Sequence, residues 1–128
     1  MKSILTVHWI LVAALWYFVN GILHDVFVYI NHKGKYDREL LRLLMDGHVL
    51  ILSGIVMFVC YLMMLSKIQC GALVAIIVAA AMLIYCIMIF PFLKSIGTMF
   101  ISLIAIMVCI NLYSTFPDIW EVMRKYRE

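Results

Sequence analysis

Four apolar runs dominate this chain, and each is long enough to cross a bilayer. A spanning helix needs roughly 20 mostly apolar residues. Such runs occupy about 4–30, 40–65, 70–90 and 96–115. What remains cannot form a separate soluble domain. Of the 128 residues, 67% are hydrophobic and only 13% charged, a balance that a soluble domain of this size does not have. The expected fold is therefore an all-α membrane protein. It is a four-transmembrane-helix bundle of two antiparallel hairpins in one integral membrane domain over 1–128, with a short C-terminal amphipathic helix.

Lys2 followed by an apolar run could open a secretory signal. However, the run is long, carries Trp9, Trp16 and Tyr17, and lacks a small-x-small cleavage site, so it reads as a retained span. Residues 31–36, with Asn31 and Gly34, supply a turn. Asp37 suits the N-terminus of the second helix. Ser66 to Gln69 form the next turn, and Pro91 ends or kinks the third helix. Gly71, Ala75 and Ala79 make a small-residue ridge on the third span, and Thr98, Ser102, Ala105 and Cys109 make one on the fourth. Such ridges let helix backbones approach closely in lipid. In the tail over 116–128, Ile119, Trp120 and Met123 form an apolar side, with Trp120 and Tyr126 as interfacial anchors. The alternative for the tail is a plain extension of the fourth helix.

Lysine and arginine are balanced across the two sides, so the positive-inside rule gives a tie. The free amino terminus tips it toward cytoplasmic termini. The net charge of +3 is the ordinary chemistry of membrane flanks and gives no reason to expect nucleic acid as a partner. Cys60, Cys70, Cys86 and Cys109 have no CxxC or CxxH spacing and read as packing residues.

Against this hydrocarbon background, Asn20, His24, Asp25, Arg42, Asp46 and His48 are conspicuous. They fall on the two arms of the first hairpin, in a shared layer near the 31–36 end. If the hairpin turns about Lys33 and Gly34, Asp25 faces the level of Arg42, which makes that pair a plausible salt bridge. Asp46 and His48 point in different directions on their helix, so only one can face the first helix. The other turns toward the third or fourth, where Tyr85 and Ser102 lie.

Ionised groups at bilayer depth are costly, about 2.5–3.5 kcal/mol each at the centre on insertion scales, and much cheaper near the interface. A deep layer is a site for an ion, a proton or a polar ligand; an interfacial layer is a clasp. His24 and His48 are the available axial pair for a haem, though they sit out of step. His24, Asp46 and His48, with Asp25, are the available zinc ligands, without a tight ligand spacing. No nucleophile elbow or phosphate loop marks an enzyme, and the sequence names no cofactor.

Three functional readings follow. The first is a polar pocket near one membrane surface, lined by those six residues and binding a small ligand, lipid head group or ion. The second is an accessory subunit that packs against a membrane-protein partner or a second copy of itself. The third is a redox or metal-dependent catalytic subunit.

Overall fold

The structure, a computed structural model, describes the backbone of residues 2–33 and 35–127 and the side chains of 6–33, 35–115 and Lys125. The described residues form four helices: α1 (Lys2–Asn31), α2 (Arg38–Leu65), α3 (Cys70–Ile89) and α4 (Ile96–Arg127). All four carry a stretch long and apolar enough to cross a membrane, at Thr6–Asn31, Arg38–Leu65, Cys70–Ile89 and Ile96–Thr115. The chain is a multi-pass membrane protein built as a four-helix bundle. Helix α1 packs most extensively on α2, and α3 on α4; α2 against α3 and α1 against α4 close the ring.

The tail reading is corrected in one respect. Helix α4 runs without a break from Ile96 to Arg127, so the amphipathic segment is a continuation of the fourth helix rather than a separate one. The side chains of Trp120 and Tyr126, expected as anchors, lie outside the described residues.

The bundle core is made of small and flexible side chains at helical spacing. Ala13, Ala14 and Tyr17 on α1 meet Met57, Cys60 and Met64 on α2, with Ala72, Ala75 and Ala79 on α3 and Ala105 and Cys109 on α4. Both expected ridges are buried: Ala75, Ala79, Ser102 and Cys109 are fully enclosed. Large apolar side chains instead cover the outside, as suits a lipid solvent. With lipid outside, apolar burial no longer drives helices together, and close packing does. Cys60, Cys86 and Cys109 are buried free thiols; Cys70 is a free thiol at the surface.

The tightest seam lies between α1 and α2, at glycines. A Cβ on Gly21 would lie 2.6 Å from Ile51 Cγ1 and 2.7 Å from the Gly47 carbonyl oxygen. One on Gly54 would lie 2.7 Å from the Phe18 nitrogen. One on Gly47 would collide with the Asp25 carboxylate. Hydrogen bonds tie α1 to the other side of the ring. The Trp16 indole donates to Thr98 Oγ1 at 3.2 Å, and Tyr17 Oη and Ser102 Oγ are 2.5 Å apart. Ser102 gives its only proton to the Thr98 carbonyl at 2.7 Å, so Tyr17 is the donor to Ser102.

The turns follow local chemistry. Asp37 caps α2, accepting from the Leu40 backbone N–H at 2.8 Å, and both its oxygens lie 3.1 Å from His32 Nε2. The Leu40 N–H and then His32 hold the Asp37 carboxyl below the usual carboxylate range. Lys67 takes the left-handed conformation, φ 72°, that closes the end of α2. There the Ile68 N–H reaches back to the Met63 carbonyl at 2.9 Å.

Two outcomes test this description. Gly47→Ala should destabilise the folded bundle by about 1–3 kcal/mol, the usual cost of overpacking, read from unfolding in mixed micelles. Adding Asp25→Ala should recover part of that loss, because the Gly21 carbonyl oxygen still crowds the new methyl at 2.9 Å. Asp37→Ala should lower the melting temperature at neutral pH. Folding lowers the pKa of the Asp37 carboxyl, so its contribution is full above the ordinary value of 3.8 and is lost as pH falls through the folded value. The gap between wild type and variant should therefore close on acidification; a gap that stays constant to pH 3 rules out this cap.

Candidate functional site

A cleft of about 580 Å³ opens at the end of the bundle that carries the 32–37 and 90–95 connections. Its polar wall contains His24 from α1, Glu39, Arg42 and Asp46 from α2, Tyr85 from α3, and Ser95 and Thr98 beside the start of α4. Its apolar wall includes Leu43, Leu50, Ile89, Phe92 and Leu93. Glu39, Arg42, Asp46 and Leu50 fall three or four positions apart and so share one stripe of α2, with Leu43 beside Arg42. Inside the cleft the Tyr85 hydroxyl donates to Asp46 Oδ1 at 2.7 Å, joining α3 to α2.

Helix α3 has 20 residues and so spans about 30 Å at ~1.5 Å per residue, close to one hydrocarbon thickness. Tyr85 lies one turn before its last residue, Ile89, and its hydroxyl meets Asp46 on α2. Arg42 and Glu39 follow Asp46 at one-turn steps toward the start of α2, so the polar layer is graded along the helix axis.

The six expected residues separate into three groups. His24, Arg42 and Asp46 line the cleft. Asp25 and His48 lie on the α1–α2 seam: His48 Nδ1 is 3.0 Å from Asp25 Oδ2 and 2.9 Å from the Leu44 carbonyl oxygen. Both partners only accept, so His48 carries its proton on Nδ1. Asn20 turns back on its own helix, donating to the Trp16 carbonyl at 2.8 Å. The expected Asp25–Arg42 pair is corrected. Asp25 sits over Gly47, five residues along α2 from Arg42, and the side chains beside its carboxylate are His48 and His24. The connection reaches from His32 to Asp37, so the turn is centred later than Lys33 and Gly34. The glycine seam then fixes the register.

The divergence of Asp46 and His48 is observed, with Asp46 meeting Tyr85 on α3 and His48 meeting α1. Ser102 serves Tyr17 instead. Glu39, Ser95 and Thr98 were missed. The signal for Glu39 was its place on the stripe of Arg42 and Asp46; Ser95 and Thr98 reach the cleft only through the fold.

His24 joins the two features. Its Nδ1 is 3.6 Å from Asp25 Oδ1, and neither atom has a hydrogen-bond partner although both are buried. The two histidines thus address one carboxylate from either side rather than facing each other as an axial pair. Among the described residues, no group of three or more His, Cys, Asp or Glu is placed to hold a metal ion. Comparison with protein-family models, with curated proteins and with solved structures found no match.

The Asp46–Tyr85 bond is testable by a double-mutant cycle of Asp46→Asn and Tyr85→Phe. A hydrogen bond to an ionised carboxylate predicts a coupling of about 1.5–3 kcal/mol in unfolding free energy. Simple additivity of the two single losses would show that the side chains do not interact.

Proposed function

We propose that this protein binds an amphiphile in the cleft, with the polar part of the ligand at the α2 stripe and its apolar part along Leu50, Ile89 and Leu93. One observation carries the reading. A partly open cleft at one end of the bundle holds both charged and apolar walls, and its charges are not consumed by each other. Among the described residues, neither Glu39 nor Arg42 forms an ion pair, although they stand one turn apart on the same stripe. A structural clasp would have paired them. The seam pair Asp25–His48 serves that structural purpose, leaving the cleft residues for a ligand.

The mixed wall argues against a simple inorganic ion as occupant. Most of its surface is hydrocarbon, which suits a ligand that itself has a hydrocarbon part. We assign both termini to the cytoplasmic side, so the cleft belongs to the opposite leaflet. Labelling of single cysteines at Lys35 and Lys67 by an impermeant reagent reads that assignment.

Leu43→Trp tests the binding reading, because Leu43 is exposed on the cleft wall and a larger ring there occupies the space without entering the core. Native mass spectrometry of purified wild type should show a retained amphiphile of defined mass, and the variant should retain several-fold less. Equal retention by both would overturn the cleft as the binding site.

A further inference from the structure

The geometry points to a ligand of one head-group class: a zwitterion with a primary ammonium outside a phosphate, as in an aminophospholipid. This rests on the cleft being a binding site and adds the chemistry it selects. The argument begins with the order of charges along α2. From the surface inward the stripe reads Glu39, Arg42, Asp46 and Leu50: an anion, a cation, an anion and hydrocarbon.

Each step is about one helical turn: Glu39 is nearest the start of α2, Arg42 follows, and Asp46 is one turn further in, where it meets Tyr85. A phospholipid with an amino head presents the matching sequence from the surface inward: an ammonium, a phosphate, an oxygen-rich glycerol region and acyl chains. With the phosphate at Arg42, the guanidinium N–H groups donate to its oxygens in the fork geometry that suits them. The ammonium then lies at the level of Glu39 and donates to its carboxylate. Asp46 is already engaged by the Tyr85 hydroxyl, and the glycerol esters at its level only accept hydrogen bonds and so ask none of it.

The same order selects against other heads. Carboxylates stand on both sides of Arg42, so a ligand with net negative charge meets repulsion above and below its phosphate. A trimethylammonium head keeps the positive charge but has no N–H to give Glu39. An ammonium without a phosphate leaves Arg42 unpaired in the wall. A primary-amine zwitterion satisfies both Glu39 and Arg42, and its acyl chains follow the apolar wall formed by Leu50 and Leu93.

The test uses the full chain, stripped of co-purified lipid and offered equimolar phosphatidylethanolamine, phosphatidylcholine and phosphatidylglycerol with identical acyl chains. Native mass spectrometry then counts the adducts. Wild type should favour phosphatidylethanolamine over each of the others by about threefold or more, the scale of one partly exposed ion pair. Glu39→Gln should bring phosphatidylethanolamine level with phosphatidylcholine, and Arg42→Gln should lower all three lipids together. Free phosphoethanolamine should compete only weakly; full competition would make the soluble head group itself the ligand and overturn the lipid. Equal retention of phosphatidylglycerol by wild type, or a preference that survives Glu39→Gln, would overturn the head-group class. Those results leave the cleft reading standing if Leu43→Trp still removes every adduct. Adducts that persist in Leu43→Trp would overturn the cleft reading as well.

Discussion

The close approach of α1 and α2 at Gly21, Gly47 and Gly54 is the contact on which the polar end of the bundle depends. In lipid, two helices gain little by hiding apolar side chains from each other, so they must gain by fitting. Glycine carbonyls and nitrogens within van der Waals reach of the facing helix supply that fit. The seam also creates a space with no side chain above Gly47, and the Asp25 carboxylate fills it. Its partner His48 comes from the same helix as Gly47, one position on. Packing and electrostatics therefore fix the same register, and a slip of the seam would break both.

That register decides which polar groups are left over. With Asp25 committed to His48 on the outside of the seam, Arg42 has no partner among the described residues of α1. Asp46, two residues before His48, turns to the other side of α2 and meets Tyr85. The polar layer is thus split by α2 into a seam that holds the hairpin and a cleft that faces α3 and α4. His24 touches both sides, with Nδ1 against Asp25 and the rest of its ring on the cleft wall.

Much of this was legible in the sequence because lipid imposes simple rules on composition and length. Four runs gave four helices, Asp37 marked the start of α2, and the ridges at Ala75, Ala79, Ser102 and Cys109 were buried as their spacing implied. The divergence of Asp46 and His48 followed from helical geometry alone. The Asp25–Arg42 pairing failed because register was inferred from the centre of a turn. The two arms are in fact locked by glycines, whose contribution leaves no mark in a hydropathy pattern. Glu39 was passed over because a charged residue near a helix start is ordinary, and only the cleft beside it makes it specific. The continuity of α4 through Pro117 was the other reading of the tail, and a proline-based signal could not separate the two.

Helix α3 is about one hydrocarbon thickness long, whereas α1 and α2 are longer and must tilt or project. Glu39 and Arg42 lie in the first two turns of α2, at the end of the bundle that carries the 32–37 connection. Ionised groups there cost little on their own account. An economical structure could still have joined them into a pair, since neighbouring opposite charges on a helix attract. They remain apart beside a cleft with a hydrocarbon wall, and Asp46 one turn deeper is steadied by Tyr85 rather than by Arg42. Charges that are inexpensive to keep, left unpaired and graded along the membrane normal, are the arrangement that a polar-headed amphiphile complements.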